Sequence, residues 1–181
     1  MATPPLALGS SAPSFSGLPG TDGRSYSLEN FSTSDVLVIV FSCNHCPYVQ
    51  AYEDRMIAFQ HSYGVRGVQL VAINANDTAN YPDDDFEGMV NRAQVKGFPF
   101  PYLRDEDQHV AELFGATHTP EFFVFDRARR LCYHGKMDDN YRDSSAVKKK
   151  HLQDAVDAVL AGKPVAEPET HSIGCTIKWK Y

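Results

Sequence analysis

The chain has 181 residues, 43% of them hydrophobic, which is enough for one compact domain, and we predict a single domain over residues 1–181. The formal net charge of −6 argues against a basic surface that would bind nucleic acid or an anionic membrane. The N-terminal residues lack the basic and apolar segments of a secretory signal, and no apolar run approaches the roughly 18 residues of a membrane span. We therefore expect a cytoplasmic protein without nucleic-acid or membrane partners.

Strand and helix patterns alternate along the chain, which predicts an α/β fold with a central mixed sheet flanked by helices. The run VLVIVF at 36–41 is β-branched and continuous, as in a strand buried on both faces. In chain order we predict that strand, a helix from Pro47 to about Gly64, a second central strand at 67–77, an inserted helix within 80–97 beginning near Pro82, a short helix near 107–114, a hairpin of 117–126 and 129–137, and an amphipathic helix at 144–164.

Residues 1–30 form an N-terminal extension to this pattern, and residues 165–181 form a tail. The end of the tail alternates strictly, with the apolar side chains Ile173, Cys175, Ile177, Trp179 and Tyr181 on one side. Such a period of two predicts a half-buried strand. We expect this tail to dock on its own domain or across a dimer, with Cys175 buried and unpaired. The alternative, that Cys175 is a redox partner for other cysteines, stays open.

Two of the four cysteines, Cys43 and Cys46, stand in a Cys-x-x-Cys spacing after the buried strand and at the start of the first helix. A cysteine at a helix N-terminus is stabilised as a thiolate by the helix dipole and by free N–H groups. Cys43, at the mouth of the helix, is the expected nucleophile with a lowered pKa, and Cys46 the resolving thiol. His45, when protonated, would add a positive charge that favours the reduced form. These three residues are the predicted catalytic set.

The segments CNHCPYV, VAINAND, PFPYLRDEDQHVAELFGA, TPEFFVFD and IGCTIKW, in this order, resemble the thioredoxin-like branch of the alkyl hydroperoxide reductase and thiol-specific antioxidant superfamily. The resemblance spans nearly the whole chain and implies a thioredoxin-like fold. It also implies a thiol–disulfide oxidoreductase without a cofactor, acting on protein or small-molecule thiols and disulfides together with a redox partner. A homodimer is compatible with it.

The same resemblance implies that Thr119-Pro120 is a cis-proline site beside the cysteines, where an extended substrate could pair with the exposed backbone of Thr119. We therefore expect Thr119, Pro120, His118 and Glu121 to bind substrate. Glu121 is also a candidate for the buried acid that shuttles a proton in thioredoxins, although a solvated charge at the end of a strand is its commoner role.

Two other functions remain open. A thiol peroxidase of the peroxiredoxin kind carries the pattern Pro-x-x-x-Thr-x-x-Cys, and aligning Cys46 with its cysteine puts Cys43 at the Thr position and Ile39 at the Pro position. A copper or zinc carrier could use Cys43, Cys46 and His118, since thiolate and imidazole suit these metals. No metal is predicted for the oxidoreductase. The acidic run at 83–85 is interpreted as the negatively charged first turn of the inserted helix.

Overall fold

The computed structural model describes residues 3–181. The strands are β1 (Leu18–Pro19), β2 (Ser25–Tyr26), β3 (Val36–Phe41), β4 (Val68–Asn74), β5 (Tyr102–Arg104), β6 (His118–Thr119), β7 (Glu121–Phe125), β8 (Leu131–Gly135) and β9 (Cys175–Thr176). The helices are α1 (Pro47–Gly64), α2 (Phe86–Lys96), α3 (His109–Phe114) and α4 (His151–Leu160). None of the helices within residues 3–181 has both the length and the apolar character that crossing a membrane requires.

The central sheet has five strands in the order β5-β4-β3-β7-β8. β3 pairs in parallel with β4, which pairs in parallel with β5, whereas β7 pairs antiparallel with both β3 and β8. The sheet is therefore mixed, as the sequence predicts, and the fold is thioredoxin-like. β6 and β9 form a separate antiparallel pair beside it.

Both faces of the sheet are covered, which explains why β3 is buried at every position. One face packs against α1 and α4, through side chains such as Met56 and Leu152. The other face packs against α3 and the N-terminal extension, through Phe114, Phe15 and Phe31. A strand between two apolar layers needs apolar residues on both sides, so the run VLVIVF is the sequence signature of this position.

Helix α1 begins and ends where the sequence predicts. Pro47 is its first residue, where the missing N–H of proline costs no hydrogen bond, and Gly64 is its last. Because β3 ends at Phe41 and α1 begins at Pro47, only five residues connect them, and both cysteines of the Cys-x-x-Cys motif lie in this connection.

Two predicted helix starts are wrong. α2 begins at Phe86 after a separate 3-10 turn at Pro82–Asp84, and the side chain of Asp85 caps it by accepting the N–H of Gly88. α4 begins at His151 and not at 144. Residues 147–150 are not helical, because Lys148 and Lys149 hydrogen-bond to Asp139. The carboxylate of Asp139 accepts the N–H of Lys148, and its backbone N–H donates to the carbonyl of Lys149.

The tail docks on its own chain, but as a shorter strand than predicted, because only Cys175–Thr176 forms a ladder. Beyond it, Ile177 is buried in the core and Trp179 packs against the same cluster. The prediction that the apolar side of the tail is buried is therefore only partly correct. Ile173 and Tyr181 are exposed, and Cys175 is half-buried, where the alternation predicts that it is buried.

Candidate active site

The Cys-x-x-Cys motif lies under the chain segment that precedes β7. Cys43 and Cys46 are 2% and 0% exposed, and both are unpaired thiols in the structure. Cys43 Sγ lies 3.5 Å from Thr119 Oγ1, and Cys46 Sγ lies 3.4 Å from the carbonyl oxygen of Thr119. The peptide bond between Thr119 and Pro120 is cis, as the resemblance implies. The structure thus brings together both predicted cysteines and the predicted substrate-contacting residues Thr119 and Pro120.

The two thiols of the motif influence each other's pKa in opposite directions. The interaction with Cys43 is the main cause that lowers the pKa of Cys46 to about 4, followed by Cys175 and the backbone N–H of Val49, while burial opposes this shift. The same interaction, together with burial and the nearby charge of Asp84, raises the pKa of Cys43 above its ordinary value. The prediction that Cys43 has the lowered pKa is therefore wrong for the reduced pair.

The position of the helix start agrees with this direction. Cys46 is the N-cap residue of α1, directly before Pro47, so it is the sulfur nearest to the free N–H groups of the first turn. Cys43 is three residues further from the helix and faces a carboxylate. The two pKa shifts thus favour the thiolate at Cys46 and the thiol at Cys43.

Asp84 is the residue that sequence reasoning missed. The sequence places the acidic run in the first turn of α2, yet Asp84 lies in the 3-10 turn that precedes this helix and is fully buried. Its Oδ1 accepts the backbone N–H of Asn44 at 2.6 Å, and its Oδ2 accepts the side-chain amide of Asn76 at 2.9 Å. The carboxylate therefore fixes the loop between Cys43 and Cys46 to the end of β4.

His45, predicted as a catalytic residue, contacts this same carboxylate. Its Nδ1 lies 2.5 Å from Asp84 Oδ2, and its ring stacks on Tyr81 with the centroids 5.8 Å apart. When His45 is protonated, Asp84 balances its charge at close range. The positive charge that His45 contributes to the neighbouring thiols is thus smaller than the sequence alone suggests.

Glu121 is buried, which contradicts the solvated role. Its Oε2 accepts the backbone N–H groups of Thr117 and His118 at 2.7 and 3.0 Å, and its Oε1 lies 2.6 Å from Nε2 of His134. Along β7 it shares a face with Phe123, on the side of the sheet opposite to the cysteines. Glu121 therefore holds the segment that leads to Pro120, and its hydrogen bonds go to that segment and to His134.

The metal set proposed from the sequence is wrong. Within residues 3–181, the three side chains whose ligand atoms all lie within 4.8 Å of one another are Cys43, His45 and Asp84. His118 lies instead on β6, where its Nδ1 is 2.8 Å from the hydroxyl of Thr117. A carrier site built from Cys43, Cys46 and His118 is therefore not formed.

The chain was compared with known protein families and solved structures. The family model described as Redoxin matches residues 7–150, which is most of the chain and includes both cysteines and the cis-proline. The chain belongs to the redoxin family. A search among curated proteins gave no match.

Two solved structures resemble this redoxin over nearly their whole length. A hypothetical protein from Sinorhizobium meliloti 1021 is 39% identical, with a TM-score of 0.91 and coverage of 98% of this chain and 97% of the other. An uncharacterized conserved protein from Geobacillus kaustophilus is 41% identical, with a TM-score of 0.90 and coverage of 96% and 93%.

A thiol:disulfide interchange protein of the thioredoxin family from Chlorobium tepidum TLS is more distant. It is 20% identical, with a TM-score of 0.65 and coverage of 86% of this redoxin and 99% of that chain. At this identity the likeness shows a shared fold.

Replacing Asp84 by Asn in this redoxin is expected to lower the pKa of Cys43, because the negative charge that raises it is removed. The new amide also faces the amide of Asn76, which leaves a buried donor unsatisfied and should cost about 1–3 kcal/mol of stability. The measurement is the pH dependence of alkylation of Cys43 in the Cys46→Ser background, where the paired thiol is absent. Asp83→Asn, at the exposed neighbour, is the matched control. If the pKa of Cys43 from this pH dependence were unchanged or higher in Asp84→Asn, the electrostatic role of Asp84 would be contradicted.

Proposed function

We propose that this redoxin is a thiol–disulfide oxidoreductase that uses the Cys43–Cys46 dithiol. One observation carries the proposal: the sulfur atoms of Cys43 and Cys46 lie at the start of α1, both against Thr119 and directly beneath the cis Thr119-Pro120 bond. The lowered pKa of Cys46 supports it, because thiol–disulfide exchange needs a thiolate and this site provides one without a separate base. Protein and small-molecule thiols and disulfides are the proposed substrates.

In the proposed reaction, Cys43 passes its proton to the Cys46 thiolate as it attacks one sulfur of a substrate disulfide, forms a mixed disulfide and releases the first substrate thiolate. Cys46 gives this proton to the released thiolate and attacks Cys43 Sγ, which forms the Cys43–Cys46 disulfide and releases the second substrate sulfur as a thiolate. Two electrons pass from the protein to the substrate, and the one proton of the pair ends on the products. The reverse sequence oxidises a substrate dithiol. Cys43 is proposed as the attacking sulfur because its Sγ is hydrogen-bonded to the hydroxyl of Thr119, the residue whose backbone a substrate would pair with.

The deciding experiment is an equilibrium titration of the reduced protein against glutathione buffers, followed by peptide mapping. We expect a two-electron transition in which the chain loses two of its four thiols and a Cys43–Cys46 disulfide appears. The midpoint also gives the direction of electron flow, since a low potential indicates a reductant and a high one an oxidant or isomerase.

The alternative functions predict different results for the same protein. A thiol peroxidase would be oxidised fast by micromolar hydrogen peroxide, which we do not expect because Cys43 occupies the position of the peroxidatic threonine. A metal carrier would contain stoichiometric copper or zinc when purified without chelator, and its ligands would be drawn from Cys43, His45 and Asp84. Either result without a titratable disulfide would overturn the proposal.

A further inference from the structure

The C-terminal strand β9 pairs with β6, the strand that ends at Thr119 beside the motif. In the β6–β9 pair, Cys175 is the residue opposite Thr119, and Thr176 is opposite His118. The carbonyl oxygen of Thr119 also lies 3.4 Å from Cys46 Sγ. Because Cys175 lies opposite Thr119 in this short ladder, it is placed next to the Cys-x-x-Cys motif.

Cys175 packs against the apolar cluster that contains both cysteines of the motif. Cys46 also contributes to the raised pKa of Cys175, as expected of neighbouring side chains. Cys46 thus has two sulfur neighbours, Cys43 from its own motif and Cys175 from the tail. Thiol–disulfide exchange requires an attacking sulfur next to one end of an existing disulfide, and this arrangement provides one.

The backbone on either side of Cys175 is fitted to this position. Gly174 lies so close to the Thr119-Pro120 peptide that a Cβ atom at 174 would be 2.1 Å from the carbonyl oxygen of Thr119. On the other side, the N–H of Ile177 donates to the carbonyl of Thr117 at 2.9 Å, and Ile177 itself is buried. Cys175 is therefore held between two anchored residues and not on a mobile arm.

We propose that Cys175 is a third redox thiol, which replaces Cys43 as the disulfide partner of Cys46. This inference rests on the proposed function of the Cys43–Cys46 pair. Cys175 Sγ, as the thiolate, attacks Cys46 Sγ in the Cys43–Cys46 disulfide. The bond between Cys43 and Cys46 breaks, a bond between Cys46 and Cys175 forms, and Cys43 leaves as a thiolate that takes up the proton given by Cys175. No electrons enter or leave, so no external oxidant is needed.

The protonation of Cys175 agrees with this order of events. Burial and the neighbouring Cys46 raise the pKa of Cys175 to about 11, so that in the reduced protein it is a protonated thiol beside a charged one. When Cys46 is part of a disulfide it carries no charge, and that contribution to the pKa of Cys175 is gone. Cys175 thus becomes a better nucleophile when a disulfide is present to attack.

The test uses the Cys43→Ser protein, which has three thiols, oxidised with diamide and mapped without reduction. We expect the free thiols to fall from three to one, with Cys46 linked to Cys175 within one chain and Cys132 left free. In Cys43→Ser/Cys175→Ser the link is impossible, and both remaining thiols should persist or form only intermolecular adducts. Should Cys43→Ser not fold, the same mapping of the oxidised wild-type protein decides, because a Cys46–Cys175 peptide supports the proposal and its absence overturns it.

Gly174→Ala tests whether the position of Cys175 matters, since it removes no thiol but places a methyl group against the Thr119 carbonyl. In the Cys43→Ser background it should reduce the yield of the Cys46–Cys175 link several-fold, whereas Ile173→Ala, at an exposed neighbour, should not. If Cys46 and Cys175 stay unlinked while the wild-type Cys43–Cys46 pair titrates normally, Cys175 is structural and the proposed function still stands. If the wild-type pair does not titrate, the proposed function fails and this inference fails with it.

Discussion

Cys43→Ser and Cys46→Ser are each expected to reduce catalysed disulfide exchange to the background rate measured without protein. The reason is that Cys43 attacks the substrate and Cys46 releases it in the proposed reaction, and a Cys46–Cys175 pair lacks the sulfur that attacks the substrate. The variants should nevertheless differ. Cys46→Ser retains the attacking thiol and should accumulate a mixed disulfide between Cys43 and the substrate. Cys43→Ser lacks the attacking thiol and should not accumulate a mixed disulfide with the substrate. Non-reducing mass spectrometry after incubation with a peptide disulfide measures this difference.

The matched control is Cys132→Ser. Cys132 is half-buried on β8, and its Sγ donates to the carbonyl of Arg130, away from the motif. Its removal should leave the exchange rate unchanged. If Cys43→Ser retained full activity while Cys46→Ser trapped no substrate, the two roles would be reversed, and the sulfur with the lowered pKa, Cys46, would be the one that attacks.

Removal of residues 171–181 is expected to lower the free energy of unfolding by about 4 kcal/mol, because it exposes the surface covered by Ile177 and Trp179. For a chain of this length that corresponds to a decrease in melting temperature of about 8–16 °C. The truncation also removes the carbonyl of Lys178, which accepts the N–H of Asp77 at 2.7 Å and the amide of Gln108 at 2.8 Å. Thermal and urea unfolding measure the loss.

Two isoleucines of the same tail provide an internal comparison. Ile177 is 4% exposed and Ile173 is 47% exposed. Ile177→Ala should therefore cost about 2–4 kcal/mol, as expected for truncation of a buried isoleucine. Ile173→Ala should change stability by less than about 0.5 kcal/mol. Equal effects of the two substitutions would show that the tail does not dock in the way described.

The fold and the core of the site could be predicted because their signals are local. The buried strand, the proline at the start of α1 and the Cys-x-x-Cys between them all lie within residues 36–64. β5 was missed for an equally local reason. It has three residues, follows the prolines of the segment PFP, and forms only because it pairs with β4. A short edge strand of this kind is specified by its neighbour more than by its own residues.

The remainder of the site depends on contacts between residues far apart in the sequence. Asp84 lies 40 positions from Asn44, and nothing in an acidic run indicates which of its members is buried. Cys175 is a similar case. Its alternating surroundings predicted a docked strand, but not that the ladder would place it opposite Thr119. The pKa of Cys43 could not be predicted because it depends on both the N-cap position of Cys46 and the carboxylate of Asp84.

The pairing of β6 with β9 has a consequence for substrate choice. An extended peptide that uses the backbone of Thr119 must displace a segment of the same chain, and a tethered competitor of this kind acts at an effective concentration on the order of millimolar. A small disulfide needs only to reach a sulfur atom and does not compete for that backbone. In the proposed exchange reaction, the tail would therefore disfavour peptides that pair weakly with Thr119, whereas compact disulfides, or peptides that pair more tightly than the chain's own C-terminus, would still react.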